Sequence, residues 1–208
     1  MYLSIDSSCD DTCLSLFKND KFLFVFNKIY KQSYIHQKFD GVVPNIALGE
    51  HYNGLRLLYK KYKFFFSKIF IVSYTYHPGF LGSLFVGISF SQLFSFFFNI
   101  SSVAVNHLEG HILSIFLSLK FFTYPFVAFL ISGGHTFLIY VRKYGCYYVL
   151  GSTLDESIGE FFDKFSSFIG CNYQGGIIVE NFSHVASYLN LITYNFFYSF
   201  YYVFTNFN

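Results

Sequence analysis

An α/β fold that opens with three consecutive strands is predicted for this 208-residue chain by three features. YLSID (2–6), TCLSLF (12–17) and FLFVFN (22–27) are short alternating apolar runs divided by polar residues, the pattern of a strand meander. Two segments of helical period follow, and each leads into a short β-rich run: IFIVSY (69–74), then VAV (103–105). The opening then recurs, because FVAFLIS (126–132), TFLIYV (136–141) and YYVLG (147–151) read as three more strands ahead of a helix.

Each element has a local reason. The turn at Asn19-Asp20 joins the second and third strands. Gly41 and Pro44 mark a polar loop, and Asn45 is expected to cap a helix reaching about Tyr62. Ala47, Leu48, Leu55, Leu58 and Tyr59 form the apolar side of that helix. HPGFLGSLFVG (77–87) is a glycine-rich lead into a helix ending near Phe98, and NHLEGH (106–111) opens the next. In ESIGEFFDKFSSFIG (156–170), Ile158, Phe161, Phe162, Phe165 and Ile169 recur at helical spacing, and Thr153 or Asp155 is the expected cap. CNYQGG (171–176) reads as a turn, beyond which the pattern loses definition.

The first half is therefore βββαβαβ, the succession of an RNase H-like lobe. Two such lobes build the actin/heat-shock-70-like nucleotide-binding fold. The expected organisation is a first lobe over residues 1–106 and a partial second lobe over 107–208, with the second lobe incomplete.

Composition narrows the function. Fourteen basic residues against twelve acidic ones exclude a strongly basic nucleic-acid binder, but not an enzyme that meets RNA over a local patch. Aromatic residues make up 25% of the chain, Lys outnumbers Arg twelve to two, and there are four Ala, a skew that follows AT-rich codon usage. Cys9, Cys13, Cys146 and Cys171 form no CxxC pair and read as free thiols of a reducing cytosol. Cys9 and Cys13 flank a turn and are expected to pack. No Asp, Glu, Lys or Arg occurs from Pro78 to Leu108 or from Asn181 to Asn208, so a membrane protein with spans near 84–105 and 182–205 is an alternative. Gly, Ser and Pro interrupt the first run and Lys/Arg anchors are missing, which argues for a cytoplasmic chain with no membrane partner.

Four stretches carry candidate chemistry. His107 and His111 lie four apart in NHLEGH, so on a helix both imidazoles leave one face and can grip one metal ion. A shuffled chain of this composition holds such a pair roughly one time in five, so the context decides its meaning. SGGHT (132–136) places two glycines between strands, where they permit positive φ and let a ligand approach the backbone. An ordinary Gly-Gly turn is the alternative there. SSCDDT (7–12) directly follows the first strand, the position that faces phosphates in RNase H-like ATPases; a solvated acidic turn is the alternative. PGFLGSLFVG (78–87) is either a phosphate-facing helix start or a stretch of small residues for close packing.

Six blocks in order, IDSSCDDT (5–12), GVVPNIALGEH (41–51), PGFLGSLFVG (78–87), NHLEGHILS (106–114), PFVAFLISGGHTFL (125–138) and LGSTLDESIGEFFDKFSSFIGCNYQGG (150–176), resemble the TsaD-type tRNA N6-adenosine threonylcarbamoyltransferases, once termed O-sialoglycoprotein endopeptidases. The resemblance implies that His107 and His111 ligate one divalent metal, iron or zinc. It implies that Ile131, Ser132, Gly133, Gly134 and His135, with Asp163 and Gly176, contact threonylcarbamoyl-AMP. It also implies that Asp10 and Asp11 are the catalytic acidic pair. The implied reaction moves the L-threonylcarbamoyl group to N6 of adenosine 37 in tRNAs reading codons that begin with A. The implied partners are tRNA, a related RNase H-like dimer partner and a small ATPase. An older peptidase label finds no support, because HExxH is missing.

The departures from the family pattern are specific. Asp6 and Asp11 stand where the family has glutamate, His77 where glycine precedes Pro-Gly, and Gln174 where proline precedes the glycine pair. Nothing in 181–208 resembles the family's further ligand-binding asparagine, glycine loop, metal-ligand aspartate and closing helix. The expectation is thus a C-terminally truncated synthase, with a non-catalytic remnant or interaction module as the alternative.

Overall fold

The computed structural model describes residues 1–18, 23–39, 41–118, 123–171 and 175–188. The elements run β1 (Tyr2–Asp6), β2 (Thr12–Lys18), β3 (Leu23–Tyr30), α1 (Ser33–His36), α2 (Pro44–Tyr62), β4 (Ile71–His77), α3 (Leu81–Phe98), β5 (Ser101–Asn106), α4 (His107–Leu113), α5 (Ile115–Ser118), β6 (Phe126–Ile131), β7 (Thr136–Lys143), β8 (Cys146–Ser152), α6 (Ile158–Phe168) and α7 (Gly175–Tyr188). Short 3₁₀ turns follow α1 and α2. The turn expected at Asn19-Asp20 lies outside the described residues.

The first sheet has the order β3-β2-β1-β4-β5. β1 pairs antiparallel with β2 and parallel with β4, and β5 extends the sheet parallel to β4. This is the expected βββαβαβ lobe. Alternation along β1 and β2 sends Leu3, Ile5, Leu14 and Leu16 to the face that meets Leu55, Phe66, Ile69, Val72 and Phe94. Aromatic rings fill the space between sheet and helices, with Phe66 edge-on to Phe94 at 5.2 Å and Phe26 stacked on Tyr62 at 4.2 Å.

The other sheet face carries several polar side chains near its centre. Ser4, Asp6, Cys13, Ser15, Ser73 and Thr75 line a cavity of about 210 Å³ on it, with Ser4 and Ser73 hydroxyls 2.7 Å apart. Asp6 ends β1 on this face. Sheet pairing thus delivers a carboxylate to the strand end while burying its neighbours Ile5 and Ser7.

Two expected caps differ. Asn45 lies inside α2; Val43 occupies the cap position without a side-chain bond, and Pro44 opens the helix. In α6 the cap is Ser157, whose hydroxyl accepts from Glu160 N–H at 3.1 Å, rather than Thr153 or Asp155. α3 is long and apolar enough to cross a membrane by length and composition. Here it is the crossover from β4 to β5 and buries Ser83, Leu84, Gly87, Ser91 and Phe94. Of the second uncharged stretch, 182–205, residues 182–188 lie in α7 and the remainder lies outside the described residues.

The chain divides into two compact units, Met1–Phe122 and Thr123–Asn208. The boundary expected at 106/107 moves to 122/123. α4 continues directly from β5 and packs on β4 and β5, which keeps His107 and His111 with the first unit. The second unit repeats the opening of the first with the antiparallel sheet β6-β7-β8 followed by α6. Leu130, Ile139 and Val141 are its buried aliphatics. The glycine pair expected in a turn instead opens α7, with Gly175 and Gly176 as its first residues.

The core predicts a direct outcome. Leu16 is fully buried between sheet and helices. Leu16→Ala is expected to lower the unfolding free energy by about 2–5 kcal/mol, measured by urea denaturation.

Candidate active site

In the first unit the candidate residues gather at the C-terminal end of β1. The loop after β1 is held by close packing from α3 and its lead-in. Phe80 N–H donates to the Ser8 carbonyl at 2.9 Å, and Ser7 Oγ donates to the Ser83 carbonyl at 2.8 Å. Gly79 lies against Ser8, where a Cβ would come within 3.0 Å of Ser8 Cα, and a Cβ on Gly87 would run into Ser7 Oγ. The close-packing reading of PGFLGSLFVG is the one these contacts bear out.

His51 pins the same loop from α2. Its Nε2–H donates to the Cys9 carbonyl at 3.0 Å, so Nδ1 accepts from the Thr12 hydroxyl at 2.8 Å. Burial pushes this imidazole down, against the opposing pull of the Cys9 carbonyl and of Asp10 and Asp6. Asp10 and Asp11 are half-buried on the loop. Burial first, then the charge of Asp10, push the Asp11 carboxyl up, against a hydrogen bond from the Gln32 backbone. Cys9 is exposed and Cys13 half-buried, so the expected packing holds only for the second. Burial, then the charges of Asp6 and Asp11, push the Cys13 thiol up to about 12, which keeps it a neutral thiol.

α4 brings the histidines to this loop. Asn106 caps it by accepting from Leu108 and Glu109 N–H groups at 2.9 and 3.2 Å. His107 Nδ1–H donates to Asp6 Oδ2 at 2.9 Å, and Ser8 Oγ lies 3.2 Å from the same nitrogen. His107 Nε2 is 3.1 Å from His111 Nε2. Two nitrogens so spaced are within reach of one ion bound at about 2.0–2.1 Å from each. Among the described residues no third His, Cys, Asp or Glu joins them as a metal-holding group. Among the described residues, the two histidines thus fit two positions of a metal ion.

Asp6, which the motif reading noted only as a substitution, is the missed member. Its Oδ1 accepts from Ser8 N–H at 2.8 Å, and its Oδ2 accepts from the Thr75 hydroxyl at 2.8 Å as well as from His107. Burial pushes the Asp6 carboxyl up, but the bond and charge of His107 together with the Ser8 bonds outweigh it and hold it well below the usual carboxylate range. The available signal was its place as the last residue of an alternating strand, on the face opposite Leu3 and Ile5.

The second unit carries the rest. Ser132 closes a tight turn with His135: its N–H donates to the His135 carbonyl at 2.9 Å, and its Oγ bridges the His135 backbone at 3.1 Å. Ser157 Oγ donates to the Gly133 carbonyl at 2.6 Å, and Ile158 N–H to Thr136 Oγ1 at 3.0 Å, so the start of α6 is bonded to this turn. Gly159 allows that approach, since a Cβ there would sit 2.8 Å from Gly133 Cα. Neither Gly133 nor Gly134 has positive φ, contrary to expectation, and a Cβ on either would meet nothing within 4 Å. Ile131 is exposed at the end of β6. Asp163 accepts from Gly175 N–H at 2.7 Å and so fastens α6 to the start of α7, one residue before Gly176.

The strand order and this clustering define an RNase H-like α/β protein. Residues 24–206 match the family described as TsaD, tRNA N6-adenosine threonylcarbamoyltransferase, and the chain belongs to that family. A relative so named from Francisella tularensis subsp. novicida is 42% identical over 190 residues, covering 89% of this chain and 56% of its own length. One from Clostridioides difficile is 39% identical over 183 residues, covering 86% and 54%. The chain thus spans a little over half the length of these curated relatives. The solved structure titled YeaZ from Pseudomonas aeruginosa superposes with a TM-score of 0.46 and 13% identity, covering 73% of this chain and 64% of that one.

Two outcomes test the scaffold. His51 is held below its ordinary value, so the unfolded chain binds a proton that the folded chain refuses as pH falls through about 6.5. Stability is therefore expected to fall below that pH, and His51→Gln to flatten the decline in chemical denaturation across pH 7.5 to 5. Gly159→Ala is expected to cost about 1–3 kcal/mol by overpacking, whereas Gly133→Ala and Gly134→Ala stay within about 0.5 kcal/mol in the same assay.

Proposed function

We propose that the chain transfers the L-threonylcarbamoyl group from threonylcarbamoyl-AMP to N6 of adenosine 37 in tRNAs reading codons that begin with A. The observation that carries this reading is the meeting of two separately matching motifs, IDSSCDDT and NHLEGH, through the Asp6–His107 and Ser8–His107 contacts. In the reaction the exocyclic amine attacks the carbamoyl carbon, the bond to the adenylate phosphate breaks, and AMP leaves. Asp11 receives the amine proton and Asp10 stands beside it; burial and the Asp10 charge raise the Asp11 carboxyl, which suits a general base better than an ordinary aspartate does.

His107 and His111 would hold an iron or zinc ion. When bound, the ion supplies Lewis-acid polarisation of the mixed anhydride and its phosphate. The turn from Ile131 to His135 holds the adenylate: the Gly133 and Gly134 amides have no hydrogen-bond partner among the described residues and lie open to an incoming anion. Asp163 and Gly176 complete the ligand contacts. tRNA is the acceptor, and a related RNase H-like protein and a small ATPase are the proposed partners in the cytoplasm.

A second reading, a non-catalytic interaction module of the same fold, draws on one observation: no third metal-binding side chain joins the histidines among the described residues.

Purified chain, supplied with tRNA, in situ generated threonylcarbamoyl-AMP and the partner proteins, is expected to form threonylcarbamoyladenosine, detected by nucleoside mass spectrometry. His107→Ala is expected to reduce product to background, and Gly133→Val to cut the rate at least tenfold with little change in melting. No product from the wild-type chain would sink the catalytic reading and favour the module.

A further inference from the structure

We infer that Asp6 is a positioning residue, which holds His107 with its proton on Nδ1 and its Nε2 turned toward His111. The inference rests on the metal reading of the two histidines and adds a residue to it. Three bonds carry the argument. Asp6 Oδ1 takes the Ser8 N–H and Oδ2 takes the Thr75 hydroxyl, both at 2.8 Å, so the carboxylate plane is set by β1's own loop and by the neighbouring strand β4. The carboxylate is acceptor-only, so its 2.9 Å contact with His107 Nδ1 requires the proton on that nitrogen.

The consequence passes through the ring. With Nδ1 protonated, the neutral imidazole offers a lone pair at Nε2. That atom lies 3.1 Å from His111 Nε2, which must then be the donor of the pair in the metal-free chain. A metal ion would replace the shared proton between the two nitrogens, and His111 would carry its proton on Nδ1 instead. Carboxylate–histidine pairing of this kind raises the basicity of the ligating nitrogen and fixes ring orientation, so its loss weakens metal binding without removing a ligand. Thr75 is nearly buried and Asp6 partly so, which shields the arrangement from competing water.

The test uses the whole chain and Zn²⁺ and Fe²⁺ separately, the latter under anaerobic conditions, with affinity read by chelator competition. Asp6→Asn is expected to weaken binding about 10–100-fold at unchanged melting temperature, and Asp6→Glu to remain within about threefold of wild type. Nitrogen chemical shifts of the metal-free wild type are expected to show His107 protonated at Nδ1. Wild-type affinity in Asp6→Asn, or His107 protonated at Nε2 in the wild type, overturns the inference and leaves the metal reading standing. Wild-type affinity in His107→Ala overturns the metal reading itself. Should Asp6→Asn fail to fold, Thr75→Val removes one of the bonds that set the carboxylate; several-fold weaker binding supports the inference, and no change overturns it.

Discussion

A single carboxylate joins three stretches of chain in the first unit. Asp6 stands at the end of the central strand, where it accepts from its own loop at Ser8, from β4 at Thr75 and from α4 at His107. The parallel pairing of β1 with β4 brings the first two together, and the short step from β5 into α4 brings the third. Burial alone would raise this carboxyl, and the bond and charge of His107 with the bonds from Ser8 overcome that cost, so a partly desolvated charge becomes the fixed point of the site. Around it the loop 7–11 has little freedom. His51 holds it from α2, and Gly79 and Gly87 let α3 and its lead-in press against Ser8 and Ser7.

The second unit follows the same logic with different chemistry. Its fixed point is the Ser132–His135 turn, to which Ser157 ties the start of α6. Glycines have two unlike roles there. Gly159 and Gly175 are small because another backbone lies against them, at Ser132–Gly133 and at Phe162–Asp163 respectively. Gly133 and Gly134 have open space beside them and ordinary φ, so nothing inside the protein demands their smallness. A position kept open toward solvent, without a packing reason, is where a ligand can reach backbone amides.

Much of the fold was legible in the chain itself. Period-2 alternation in YLSID and TCLSLF, helical spacing around Leu55 and Phe165, and the repeated strand triplet are local signals, and local signals are what sequence pattern reports. Caps were less legible. Val43 rather than Asn45 precedes α2, since Pro44 is suited to the first helical position, and Ser157 rather than Asp155 caps α6, since Glu160 lies three residues on. The unit boundary is less legible, because α4 looks like the start of something new in sequence, while in space it packs on β4 and β5.

The sequence by itself determined the strand and helix order, the one-face spacing of His107 and His111, and the family to which the chain belongs. Those properties reside in residue identity and short-range spacing. Only the tertiary structure decided that Asp6 addresses His107, that Asp163 fastens α7, and that Gly133 and Gly134 stand open while Gly159 and Gly175 are packed. Each of these joins groups whose distance depends on strand pairing, helix placement or loop closure, and hydrogen bonds and steric contacts report distance in space rather than along the chain.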